Sequence, residues 1–230
     1  MRIIAMGDIH GCSRALDALL EAIALREGDR LIALGDYVDR GVDSKGVLDR
    51  LVALSATGQL VALLGNHETV MLAARTDPAT AACWRDWGGN ATLKSYAKSG
   101  EVGTFDDVPQ NHWNFLEKQC VKWYETDLHF FVHANADPKL PFDRQPPEQL
   151  FWEKFGHPQP HNSGKIMVCG HSSQKSGVPL NIGHAICIDT YAWGGGWLTA
   201  LEVNSGRVWQ ANNRGEVREA AIDDFLVGID

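Results

Sequence analysis

Along the first third of the chain, apolar and polar positions alternate in a repeating order of short run, loop and periodic stretch. "RIIAM", residues 2–6, is an apolar run that ends at Gly7. "SRALDALLEAIAL" follows, with Leu16, Leu19, Leu20 and Ile23 at helical spacing behind Ser13 as N-cap. The unit then recurs as strand "RLIAL" at 30–34, loop "GDYVDRGVD", a helix from about Ser44 with Val47, Leu48, Leu51 and Val52 on one face, and strand "QLVALLG" at 59–65. Strands separated by helices pair in parallel and are buried on both faces, so the pattern predicts an α/β fold. In such sheets the loops beyond the carboxyl ends of the strands share one edge, where ligands bind. Three loops reach that edge: "GDIHG" at 7–11, "GDYVDRG" at 35–41 and "GNHE" at 65–68.

Between about Thr69 and Thr126 the periodicity weakens, and Trp84, Trp87, Trp113 and Trp123 stand among polar residues, which predicts a mostly helical insertion. Its tryptophans are expected to form its core, with the alternative that one of them lines a substrate groove. Strands resume at 129–133, at "KIMVCG" (165–170), at "AICID" (185–189), and at "WLTALEV", which turns at Asn204-Ser205-Gly206 into "RVWQA". The proline-rich stretches "DPKLPFDRQPPEQ" and "GHPQPHNSG" between them read as loops.

Composition sets the outer limits. A chain of 230 residues, 44% of them hydrophobic, can bury one sizeable core, so residues 1–230 are expected to form a single domain. The 29 acidic against 21 basic residues give a net charge of −8, which argues against nucleic acid or a membrane surface as partner. Five scattered cysteines without a CxxC pair fit a reducing compartment. No apolar run approaches the roughly 18 residues of a membrane span, and Met1 leads straight into "RIIAM" without a signal-peptide core. A cytoplasmic protein is the expectation.

The chemistry concentrates on the shared edge. The three loops bring Asp8, His10, Asp36, Asn66 and His67, and two further histidines, His133 and His171, each follow an apolar strand. A lone histidine after a strand is ordinarily a satisfied core or surface residue. Joined to three carboxylate- and imidazole-bearing loops, the two become candidates for a mixed oxygen and nitrogen donor set. Two divalent metals roughly 3.5–4 Å apart, bridged by a carboxylate, require such a set.

"GDIHG", "GDYVDRG", "GNHE", "FVHA" and "GHSS", in this order over residues 7–173, resemble the calcineurin-like metallophosphoesterases, and among them the phosphoprotein phosphatase branch. "WGGNATLKSY" and "IDTYAWGGGWLTALEV" are similar to bacterial members of that branch. The resemblance implies a β-sandwich flanked by helices (αββα), with residues of about 69–126 as a lid-like helical insertion. It assigns Asp8, His10 and Asp36 to one metal and Asp36, Asn66, His133 and His171 to a second, with Asp36 as the bridge. It further implies in-line attack by a metal-bridging hydroxide, His67 as proton donor oriented by Asp39, and Arg40 as the phosphate clamp, with Asn66 and Lys154 also facing substrate. The implied cofactors are two divalent ions, manganese first, with iron or zinc as options.

This chain departs from the family pattern at three places. Lys154 replaces an arginine after the tryptophan of "QLFWEKF", supplying charge without a bidentate fork. Asn135 stands where "HAG" is usual, and Tyr191 where "IDTG" is usual, with a side chain able to narrow the site. Among the remaining histidines, His184 reads as a strand-edge residue, and His112, His129, His157 and His161 as structural or solvent-facing. Glu68 reads as a hydrogen-bonding support, and Cys12 as a packing residue.

The leading expectation is a serine/threonine-type protein phosphatase acting on phosphomonoesters, its partner a phosphorylated protein or a small phosphoester. The second keeps the metals and changes the substrate to symmetrical dinucleoside tetraphosphates. The third, a non-catalytic phosphate-binding module, predicts the loss of a metal ligand or of the proton donor. Every expected ligand is present in the sequence, as are His67, Asp39 and Arg40.

Overall fold

The computed structural model describes residues 1–98 and 101–228. The opening repeat folds as its pattern predicts: β1 (Ile3–Met6), α1 (Ser13–Ile23), β2 (Arg30–Ala33), α2 (Ser44–Ala56) and β3 (Leu60–Ala62). β1, β2 and β3 pair in parallel. At the start of α1, Ser13 makes no side-chain cap, whereas Asp43 caps α2 by accepting the amide of Gly46.

The described residues between 66 and 119 are mostly helical: α3 (Asn66–Ala74), α4 (Pro78–Trp84), a turn over Arg85–Gly89 kinked at Gly88, α5 (Asn90–Tyr96) and α6 (Gln110–Asn114). Their apolar side chains Trp84, Leu93, Trp113, Phe115 and Leu116 join the hydrophobic cluster formed by α1, α2 and one face of the first sheet. The second sheet begins with β4 (Trp123–Glu125) and β5 (His129–Val132). After the short α7 (Pro147–Phe151) come β6 (Ile166–Cys169), β7 (Leu180–Asn181) and β8 (Ala185–Cys187). Here β5, β6 and β8 run in parallel, with β4 and β7 antiparallel at the edges.

The chain then returns to the first sheet. β9 (Asp189–Thr190) pairs with β10 (Trp197–Glu202), and β10 lies antiparallel to β1. β11 (Arg207–Ala211) and β12 (Val217–Ala221) complete that sheet. The exposed edge strand β12 carries Arg218 and Glu219, charges that discourage edge-to-edge pairing.

Strand alternation assigns each layer. In β1 and β2, Ile4, Met6, Leu31 and Ala33 face the helices, while Ile3, Ala5, Ile32 and Leu34 face the second sheet. There they meet Phe131, Val168 and Ile186, whose neighbours Phe130, Met167 and Ala185 point to the far side. That far face is covered by α7 and by loop residues Phe142 and Phe155. The result is two sheets flanked by helical elements. Both sheets direct the carboxyl ends of their parallel strands, Met6, Ala33, Val132 and Cys169, toward the residues that carry the chemistry. No helix among the described residues is long and apolar enough to cross a membrane.

Candidate active site

Backbone strain marks the site first. Seven non-glycine residues among those described adopt positive φ, and six of them, His10, Asp36, Asp39, Arg40, His171 and Tyr191, lie in the loops beyond these strand ends. Aspartate and histidine tolerate this region better than most side chains; arginine and tyrosine do not. Such conformations persist where surrounding bonds over-determine them. Glu68 supplies much of that constraint, its buried carboxylate accepting the amides of Asp36 (2.8 Å), Tyr37 (2.8 Å), Val38 (3.2 Å) and Gly65 (2.9 Å).

Three imidazoles are fixed in one tautomer by backbone carbonyls, which can only accept. His10 Nδ1 donates to Val38 O (2.8 Å), His133 Nδ1 to Leu34 O (2.8 Å), and His171 Nε2 to Trp152 O (3.1 Å). Each ring therefore turns an unprotonated nitrogen inward. Burial holds His10 and His171 neutral, lowering each to about 3. His133 Nε2 and His171 Nδ1 meet Asn66 Oδ1 at 3.0 and 3.1 Å. Two ring nitrogens whose protons are committed elsewhere and an amide oxygen converge there, three acceptors that a cation would satisfy.

Asp36 links the two halves. Its Oδ2 lies 3.4 Å from His10 Nε2 and its Oδ1 3.4 Å from His133 Nε2. Two groups of donors, His10, Asp36 and His67 in one and Asp36, His133 and His171 in the other, each gather within 4.8 Å. Asp36 belongs to both. Asp8 stands outside these groups, its buried carboxyl accepting the amide of His171 at 3.0 Å. Gly170 permits the approach, because a Cβ there would lie 2.0 Å from Asp8 Oδ1. Burial, with Asp189 and Asp36 close by, pushes the Asp8 carboxyl well above the usual range. A buried set of carboxylates and neutral imidazoles fits divalent cations, whose charge it would balance. Of the residues expected to hold them, His10, Asp36, His133 and His171 fall in these donor groups, Asn66 Oδ1 lies between the last two histidines, and Asp8 adjoins the site through the His171 amide.

His67 and Asp39 form a buried pair, with Nδ1 2.7 Å from Oδ2. Burial alone would lower the His67 pKa, but Asp36 and Asp39 reverse the effect and leave it raised. Two residues absent from the sequence expectations as site components complete this pair. Trp84 Nε1 donates to Asp39 Oδ2 (2.9 Å), and the Thr92 hydroxyl donates to Asp39 Oδ1 (2.7 Å). Asp189 is a third such residue: it is buried, bonds Ser173 Oγ (2.6 Å) and the Tyr191 amide (3.0 Å), and lies close enough to Asp8 to raise it.

Arg40 Nη1 donates to the free Nε2 of His10 (3.2 Å), and its guanidinium lies 4.9 Å from the ring centre of Trp193. With Asp36, Lys154, His171 and Lys175 it lines a groove of about 410 Å³. Lys154 Nζ donates to His171 O (3.3 Å), and Asn135 Nδ2 holds Lys154 O (3.1 Å). Tyr191 packs edge-on against Trp193, with ring centres 4.9 Å apart. Three of the other histidines make internal bonds: His112 to Tyr96 Oη and Asp49, His161 to Leu140 O, and His184 to Pro158 O.

Comparison with known proteins agrees with this geometry. Residues 1–194 match the calcineurin-like phosphoesterase family. Curated relatives include the symmetrical bis(5'-nucleosyl)-tetraphosphatases of Ralstonia nicotianae, 42% identical over 59% of this chain and 42% of its own length, and of Pseudomonas fluorescens, 41% identical over 60% and 44%. The matched segments thus span less than half of those relatives. A solved structure provisionally described as a diadenosine tetraphosphatase superposes with a TM-score of 0.65 at 23% identity, over 96% of this chain and 93% of that one. A protein serine/threonine phosphatase from Saccharomyces cerevisiae gives 0.56 at 17% identity, over 88% and 73%. Both share the fold. The chain belongs to the calcineurin-like phosphoesterase family.

Proposed function

We propose that this metallophosphoesterase hydrolyses a nucleotide phosphoanhydride, with symmetrical dinucleoside tetraphosphates as its substrate class. The observation that carries this reading is the presence of three cationic side chains, Arg40, Lys154 and Lys175, in one groove with Asp36 and His171. A single phosphomonoester needs fewer; a chain of four phosphates can engage all three. The tetraphosphatase relatives support the same choice over the phosphoserine or phosphothreonine reading.

In this reading Asp8, His10, Asp36, Asn66, His133 and His171 hold two divalent cations, with Asp36 shared. Bound there, such ions lower the pKa of a water molecule and neutralise phosphoryl oxygens. The donor set suits manganese, iron and zinc alike. Arg40 and Lys154 hold non-bridging oxygens and orient the central anhydride. Water oxygen bonds to one central phosphorus while that phosphorus loses its bridging oxygen, which yields two nucleoside diphosphates. His67, oriented through Nδ1 by Asp39, donates a proton to the departing oxygen. The five unpaired cysteines support a reducing compartment such as the cytoplasm.

The test is a metal-depleted protein reloaded with manganese and assayed on diadenosine tetraphosphate, a phosphopeptide and an aryl phosphate. The expected result is the highest kcat/KM on the dinucleotide, with ADP as its only nucleotide product. ATP and AMP as products, or preference for the phosphopeptide, overturns the reading.

A further inference from the structure

Two tryptophans beside the groove are exposed without an evident role in packing. Trp87 is 52% and Trp152 41% accessible, and their rings meet edge to face with centres 6.0 Å apart. They come from distant elements, the kinked turn after α4 and the residue that ends α7. Contact between the two rings is favourable in itself, but it leaves much of their apolar area in water, and the backbone holds both at the surface.

The site sets that backbone. The turn bearing Trp87 is seated on the loop of Arg40: at Gly88, with φ of 125°, an added Cβ would lie 2.7 Å from Arg40 N and 3.2 Å from Asp39 Cβ. Only glycine lets the turn approach this closely. Trp84, at the other side of the same turn, bonds Asp39. Trp152 is fixed from the opposite wall, its carbonyl accepting His171 Nε2, while Lys154 two residues later lines the groove. Each ring is therefore anchored through its own backbone to a different side of the phosphate-handling region.

We propose that Trp87 and Trp152 form a stacking station for a nucleobase whose phosphates run into the groove at Lys154 and Arg40. The proposal rests on the nucleotide reading above and names how the base is recognised. An aromatic platform next to cations matches a nucleotide, flat and apolar at one end and anionic at the other. Base–aromatic stacking accepts any base, so the station gives affinity for nucleotides as a class without selecting adenine.

The decisive comparison uses the manganese-loaded protein and its Trp87→Ala and Trp87→Phe variants. KM for diadenosine tetraphosphate should rise roughly tenfold in Trp87→Ala and recover largely in Trp87→Phe, since stacking is worth about 1–3 kcal/mol per base and 1.4 kcal/mol is tenfold. Calorimetric binding of ADP against pyrophosphate supplies a readout free of turnover. The wild type should favour ADP, and Trp87→Ala should lose that preference. If the wild type binds ADP no better than pyrophosphate, or Trp87→Ala changes both equally, the stacking station is overturned. If the ADP preference depends on Trp87 but the dinucleotide is not cleaved, the station stands and the proposed substrate falls.

Discussion

The two ends of β1 and β2 carry carboxylates in opposite circumstances. At the amino ends, Asp29 accepts Arg2 N (3.0 Å), Arg2 Nε (2.9 Å) and Arg26 N (2.8 Å), and ion-pairs with the Arg2 guanidinium. At the carboxyl ends, Asp8 and Asp36 are buried near Asp189, with no arginine or lysine bonded to any of the three among the described residues. Six of the seven positive-φ non-glycine residues gather at the carboxyl ends; the seventh, Ala24, ends α1. The difference separates stability from function: Asp29 is balanced within the protein, whereas Asp8 and Asp189 are raised by burial with no cationic side chain among the described residues bonded to them, a surplus that a bound cation would balance.

Breaking the unbalanced end should have the largest effects. Asp36→Asn removes a charge shared by both donor groups, so metal analysis should show affinity at both sites reduced by about 100-fold or more. Two metals retained at wild-type affinity would remove Asp36 as the bridge. His67→Asn should lower kcat by roughly 100-fold on an alkyl phosphomonoester, whose leaving oxygen needs a proton. The loss should be smaller on diadenosine tetraphosphate, because a departing phosphate oxygen with a pKa of about 6 leaves without full protonation. Equal losses on both substrates would deny His67 the role of proton donor. Trp84→Phe keeps the ring but removes the donor to Asp39. It should cost kcat about tenfold, the loss of one charge-assisted hydrogen bond, with KM little changed. A change confined to thermal stability would make Trp84 a packing residue only.

How much of this was legible in sequence follows the same division of near and far. The opening repeat was readable because each loop is tied to an adjacent strand and helix, so Asp8, His10, Asp36, Asn66 and His67 could be placed together from local pattern alone. His133 and His171 were readable from the apolar strands that precede them. The Asp39 partners were not: Trp84 and Thr92 stand 45 and 53 positions away, on helical segments whose periodicity is weak. Asp189 was hidden because an aspartate ending a strand looks like any polar turn, and only the crossing of the chain from β8 in the second sheet to β9 in the first brings it toward Asp8. Edge strand β12 had no apolar run to announce it, and β7 has only two residues.

The balanced end gives the smallest effect on activity and the clearest contrast in stability. Asp29→Asn should leave kcat and KM unchanged while costing about 1.5–3 kcal/mol of stability at neutral pH, the range for a hydrogen bond to a charged partner. The Arg2 guanidinium holds the Asp29 carboxyl well below the ordinary carboxylate range. Its contribution is therefore full above the unfolded value of about 3.9 and lost as pH falls through the lower folded value. Melts of wild type and Asp29→Asn should differ by a constant amount above about pH 5 and draw together gradually as pH falls below about 4 toward the lower folded value. Asp8 has the opposite sign, because its folded value is raised: the metal-free protein loses stability as pH climbs from the unfolded value toward the folded one. Metal-free Asp8→Asn should accordingly melt higher than the metal-free wild type at neutral pH, by about 2–4 °C for each kcal/mol of repulsion relieved, with the gain shrinking toward pH 4. Saturating manganese should reverse the ranking, since the ions stabilise only a protein that binds them tightly. A metal-free Asp8→Asn that melts lower than wild type would show that Asp8 is already balanced by the protein, and the two ends of the sheet would no longer differ in kind.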